Sequence, residues 1–175
     1  MLQMARSRQP GGLQKLFAGL RGRPSAVQVC GDIEALPFAD ASVDFVWSSL
    51  VLQWCETPDR SFAEALRVLR PGGLFMFSTL GPDTLKELRA AFAGIDAHQH
   101  VNRFIDMHDL GDALGRTGFT APVMEMENLV MTYSSVRDVL ADLKGIGAHS
   151  LRGGRRSGLM GREAWKTMEA GYERF

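Results

Sequence analysis

Val43-Asp44-Phe45-Val46-Trp47-Ser48-Ser49 and, further on, Leu74-Phe75-Met76-Phe77-Ser78 are short and nearly continuously apolar. Runs of this length and character are expected of strands covered on both faces. The interval Ser61 to Leu69 carries Phe62, Ala65, Leu66 and Leu69 at helical spacing, with charges on the other side. Pro71-Gly72-Gly73 stops that helix before the second strand begins. Strand, helix and strand in this order indicate an α/β protein with a mainly parallel sheet.

The pattern continues on both sides. Upstream, Ala26 to Cys30 reads as a further strand ending at Gly31-Asp32, and Pro37 to Ser42 as a polar turn. Met1 to Arg8 and Leu13 to Leu20 read as short helical pieces broken by Pro10-Gly11-Gly12 and by Gly19, Gly22 and Pro24. Downstream, helices are expected over Thr84–Phe92, capped by Thr84 or Asp83, over His108–Thr117, ended by Gly118, after Ser135, and over Arg162–Tyr172. Val123 to Tyr133 reads as a strand.

With 175 residues the chain suits one domain, and 45% hydrophobic content suits a globular one. The formal net charge is zero, so no global field favours nucleic acid or an anionic membrane. Arginines do gather at Arg152, Arg155 and Arg156, in a glycine-rich stretch read either as a solvated loop or as a surface for an acidic partner. The two cysteines, Cys30 and Cys55, are too few for a disulfide framework, and Cys30 in its apolar run is expected as a buried free thiol. The start lacks a signal-peptide core and no apolar stretch is long enough to span a membrane, so a cytoplasmic protein is expected. His98, His100 and His108 lack a cysteine or matched carboxylate to complete a metal site.

Ligands of open parallel sheets sit at the carboxyl ends of strands. That directs attention to Gly31–Phe38, Ser48–Thr57 and Ser78–Asp83. Asp32 has a bland reading as a turn cap. Ser48 and Ser49 have one as a plain strand end, Trp54 one as core, and the Leu36–Phe38 run reads mainly as packing.

Three segments in order resemble the second half of a class I SAM-dependent methyltransferase. They are Val29-Cys30-Gly31-Asp32-Ile33-Glu34-Ala35-Leu36-Pro37-Phe38, Asp44-Phe45-Val46-Trp47-Ser48-Ser49 leading to Gln53-Trp54, and Arg67-Val68-Leu69-Arg70-Pro71-Gly72-Gly73-Leu74. Gly81–Arg89, His100-Val101-Asn102-Arg103-Phe104 and Asp142–Ala148 narrow the resemblance to the biotin-pathway malonyl-acyl-carrier-protein O-methyltransferases. A sister group of assembly factors that hydroxylate an arginine looks similar, and a non-catalytic remnant is a third reading. The family's glycine-rich GxGxG loop, the acidic strand end after it and the last strand have no counterpart here. The expectation is therefore a partial Rossmann-like sheet with flanking helices, in one domain over residues 1–175 that is incomplete at both ends. In the family's sheet only Val43–Ser49 and Leu74–Ser78 would keep each other as neighbours. Val27–Cys30 and Val130–Tyr133 would lack partners, and free strand edges favour self-association.

The resemblance implies S-adenosyl-L-methionine (SAM) as cofactor and the free carboxylate of a malonyl thioester, on acyl-carrier protein or coenzyme A, as methyl acceptor. It implies cofactor contacts at Asp32, to the adenine amine, at the Ile33 backbone, at Ser48 and Ser49, and at Trp54 as a wall of the cleft. For the malonyl carboxylate His100 and Arg103 are the candidates, since arginine matches a carboxylate with forked hydrogen bonds. The competing reading of Arg103 is an ion pair with Asp106 or Asp109. No catalytic acid or base is assigned, because a carboxylate nucleophile is already ionised at neutral pH.

Overall fold

The computed structural model describes residues 27–55, 57–96, 98–146 and 160–175. The helices expected over Met1–Arg8 and Leu13–Leu20, and the basic stretch Arg152–Arg156, lie outside them. Strand β1 (Val43–Ser49) and strand β2 (Leu69–Ser78) pair in parallel as a two-stranded sheet. Helix α1 (Pro58–Val68) is the crossover between them. It starts on Pro58, where a missing N–H costs nothing and the fixed φ suits a first turn. A single 3₁₀ turn, Leu52–Trp54, precedes it.

Pro71-Gly72-Gly73 falls inside β2 rather than before it. The helix ends at Val68, Leu69 already pairs with Val43, and the next matched pair is Phe45 with Leu74. The extra residues form a bulge on β2. Glycine is required there: a Cβ on Gly73 would stand 2.9 Å from the Arg70 carbonyl oxygen and 3.1 Å from that of Asp44.

Beyond the bulge the register Val46↔Phe75, Trp47↔Met76 and Ser48↔Phe77 sorts side chains by face. Val46, Ser48, Phe75 and Phe77 turn inward. Phe75 and Phe77 meet a core of Leu52, Cys55, Phe62, Leu110, Ala113 and Leu114, in which α1 packs on α3 (Met107–Thr117). Asp106 caps α3 by accepting a hydrogen bond from His108 N–H, and Gly118 ends the helix. The other face corrects the expectation of a sheet covered on both sides. Phe45, Trp47, Leu74 and Met76 all stand exposed among the described residues.

A second core joins α2 (Lys86–Phe92), α4 (Val136–Gly145) and α5 (Arg162–Tyr172) through Leu88, Ala91, Phe92, Val101, Val136 and Met168. Ser135 caps α4 by accepting from Asp138 N–H. Helix α2 starts two residues later than expected. Leu85 is left-handed (φ 56°), and neither Thr84 nor Asp83 makes a capping bond to it.

Two expected strands do not form. Residues 27–31 form no strand among the described residues, with Val27 85% exposed, and Asp32 makes only an isolated bridge to Ala35. Val123–Tyr133 likewise forms none, with Val130 87% exposed. An extended apolar run becomes a strand only when a neighbour satisfies its backbone groups, and neither run has one among the described residues. Cys30 is consequently exposed rather than buried, whereas Cys55 is buried beside the Ser61 hydroxyl, 3.2 Å away.

Candidate functional site

A cleft of about 200 Å³ lies at the carboxyl end of β1, between that strand, α1 and the turn at Ile33. Ile33, Leu36, Ser48, Ser49, Val51 and Ser61 are among its lining residues. The turn is closed by Ala35 N–H donating to the Asp32 carbonyl at 3.1 Å. Asp32 Oδ1 accepts from Glu34 N–H at 3.0 Å, so this side chain does cap its turn; the residue is exposed. Gly31 lies under Pro37, where a Cβ would come within 2.6 Å of the proline ring. Only glycine lets the chain close back so tightly.

Three of the sequence candidates meet in this cleft: Ile33, Ser48 and Ser49. Ser48 is buried, and its hydroxyl has no hydrogen-bond partner among the described residues. A buried hydroxyl left unmade costs free energy that a bound polar group would recover. Ser49 is exposed and accepts from the Ser78 hydroxyl at 3.3 Å, tying the ends of β1 and β2. Trp54 is 41% exposed, so it is not core, and it is not among the residues lining the cleft. Leu36 lines the cleft while Phe38 is exposed.

His100 lies against the second core, and Arg103 follows it three residues on. His100 stacks flat on Phe92, with ring centroids 4.2 Å apart, and its Nε2 is 2.9 Å from Asp96 Oδ1. The His100 ring and the His98 N–H hold the Asp96 carboxyl below its usual range. Arg103 is exposed, and no acid pairs with it among the described residues. The alternative partner Asp106 is instead engaged with His108, through the backbone N–H at 2.8 Å and Nδ1 at 2.9 Å. No three His, Cys, Asp or Glu side chains converge for a metal among the described residues, and none of their helices is long and apolar enough to cross a membrane.

Residues 1–77 match the family described as a methyltransferase domain. A malonyl-[acyl-carrier protein] O-methyltransferase of Laribacter hongkongensis is 58% identical over 99% of this chain and 58% of its own length. The chain is thus similar to methyltransferases over nearly its whole length. A protein of the same name from Gallionella capsiferriformans is 55% identical over 99% of the chain and 58% of its own length. The biotin biosynthesis bifunctional protein BioHC of Teredinibacter turnerae is 43% identical over 82% of the chain and 25% of itself. The chain thus spans 58% of the length of the first two relatives.

Two features of the chain were not singled out from sequence. The first joins α1 to the segment after the cleft turn. Glu64 Oε2 accepts from Leu36 N–H at 2.7 Å, and Glu64 also binds Arg67 at 2.7 and 2.8 Å. Arg67 in turn donates to the carbonyls of Leu36 (2.9 Å) and Phe38 (2.8 Å) and to Asp40 (2.6 Å). Glu64 and Arg67 are three apart on one helix face, which sequence spacing alone could have flagged. The second is Arg89. It donates to the Pro82 and Thr84 carbonyls after β2 and to that of Asn102, at 3.2, 3.0 and 3.4 Å. It therefore ties the loop at the end of β2 to the segment bearing His100 and Arg103.

The Arg67 hydrogen bonds are the largest reason that the Glu64 carboxyl is lowered from 4.5 to about 2; partial burial opposes them, and the Leu36 N–H and the Arg67 charge reinforce them. A group depressed in the folded state adds stability above its unfolded value and loses it as pH falls through the folded one. The thermal midpoint should therefore drop as pH falls from 4.5 toward 2. Glu64→Gln should lower the midpoint at neutral pH and flatten this fall, leaving the part due to Asp96 and Asp106, which are also lowered. Thermal scans across that window check it; parallel curves for the two proteins would refute the assignment.

Proposed function

We propose that the chain is the larger part of a SAM-dependent O-methyltransferase of the biotin-synthesis type, acting on the free carboxylate of a malonyl thioester. The observation that carries the proposal is the unpartnered buried hydroxyl of Ser48, in a cleft at the carboxyl end of a parallel strand. The names of the relatives, malonyl-[acyl-carrier protein] O-methyltransferase, support the acceptor. The malonyl carrier protein is preferred to coenzyme A on that ground.

Ser48 and the backbone of Ser49 would hold the amino-acid portion of SAM. The Ile33 N–H would face the adenine ring, and Asp32 Oδ2, which accepts no bond within the described protein, would take the adenine amine. SAM supplies an electrophilic methyl group carried on a sulfonium. The acceptor carboxylate needs no base, since it is ionised well below neutral pH. The protein's task is orientation and exclusion of water. Arg103, free of acidic partners, would orient the distal carboxylate. His100, held by Phe92 and Asp96, would wall its approach. A carboxylate clamped too tightly is a weaker nucleophile, so an exposed, solvent-screened arginine suits the role better than a buried one.

Incubation with methyl-labelled SAM and malonyl-carrier protein tests the proposal. The expected product is a base-labile methyl ester on the malonyl group, formed at no rate from the acetyl-loaded carrier. Equal labelling of both carriers, or of neither, would contradict it.

A further inference from the structure

Arg67 reaches the cleft only indirectly. Its guanidinium spans from α1 to the carbonyls of Leu36 and Phe38 and the carboxylate of Asp40, while Glu64 beside it takes the Leu36 N–H. Both backbone groups of Leu36 are thereby fixed, and Leu36 and Ile33 both line the cleft. Among the described residues the turn they flank is otherwise held by Ile33, which packs against the first core, and by local bonds. Residues 27–31 before it form no strand, Asp32 is exposed, and the turn's own bonds are local, from Ala35 N–H and Glu34 N–H back to Asp32. A loop anchored at one end by short, charge-assisted bonds takes its position from that anchor. An arginine fork fixes both direction and distance, which a lysine on the same stem cannot do.

We infer that Glu64 and Arg67 are positioning residues for base recognition: they set the turn Asp32–Ile33 against the nucleoside end of the cofactor and so determine selectivity for adenine. The inference rests on the cofactor reading of the cleft. Neither side chain lines the cleft, so each acts through Leu36.

The test uses S-adenosylhomocysteine and its deaminated counterpart, S-inosylhomocysteine, as calorimetric probes of the full chain. The two differ at the atom that would meet Asp32, so their affinity ratio reports the position of the turn. General loss of folded protein weakens both equally and leaves the ratio alone. The unsubstituted chain should prefer the adenosyl compound roughly tenfold or more, as one hydrogen bond to a charged group allows. Arg67→Ala should bring the ratio to within about twofold of unity, and Arg67→Lys should fail to restore it, since it keeps the charge without the fork. Amide exchange at Leu36 should quicken in both variants, and Arg67→Lys keeps the experiment decisive if Arg67→Ala folds poorly. A ratio unchanged in Arg67→Lys while the Leu36 amide exchanges faster would overturn the inference and leave the cofactor reading standing. No binding of either compound by the unsubstituted chain would overturn both.

Discussion

Phe62→Ala should cost about 3–5 kcal/mol, the usual range for deleting a fully buried ring. Phe62 has no exposed surface, and its ring lies 5.9 Å from Phe75 and 5.5 Å from Phe77. Phe75 also reaches Phe119 at 5.5 Å, so the ring at position 62 joins α1 to β2 and, through it, to the second residue after α3. Aromatic pairs of this geometry add about 0.5–1.5 kcal/mol beyond buried area. Domains of this size are stable by only about 5–15 kcal/mol in all. The variant should therefore unfold at a urea midpoint lower by roughly 1–3 M. Trp47→Ala, at a residue 67% exposed on the open face, should move it hardly at all. Comparable losses in the two variants would mean that the exposed sheet face is covered in solution.

The second large effect is on the acceptor. Arg103→Ala should reduce kcat/KM for the malonyl carrier by about ten- to a hundredfold, the value of one or two hydrogen bonds to a charged group. Its exposure and its lack of an acidic partner among the described residues make the result interpretable, and the thermal midpoint and SAM affinity should stay as they are. Arg103→Lys should recover part of the loss, keeping the charge without the planar fork. Unchanged kinetics in Arg103→Ala would remove it from the acceptor site and leave His100, already engaged with Asp96, as the remaining candidate.

Much of this arrangement is legible in the residues. Val43–Ser49 and Arg162–Tyr172 have the bounds that their apolar patterns predict, and Ser135 and Gly118 mark helix ends as their chemistry requires. These features are local: periodicity and capping are settled within a few residues of chain. Val27–Cys30 and Val123–Tyr133 read equally well as strands and are not, because pattern reports a preference for burial and says nothing of whether a neighbour exists to pair with. The cleft was half legible. Ile33, Ser48 and Ser49 could be picked by strand ends and resemblance, while the anchor of their turn could not. Glu64 and Arg67 look like an ordinary surface pair on a helix; that the fork reaches Leu36, Phe38 and Asp40, about thirty residues earlier, is a consequence of the crossover and not of spacing. The same holds for Arg89, whose partners at Pro82 and Asn102 become neighbours only when α2 is laid beside the end of β2.

The central claim is that the cleft around Ile33, Ser48 and Ser49 takes SAM. Calorimetric titration of SAM into the chain tests it most directly, with Ser48→Val as the paired variant. Micromolar binding by the unsubstituted chain, weakened about tenfold or more in Ser48→Val while the folded state is no less stable, is the expected result, because removing an unpartnered buried hydroxyl is nearly neutral for the fold alone. Absence of binding, or binding indifferent to Ser48, would contradict it.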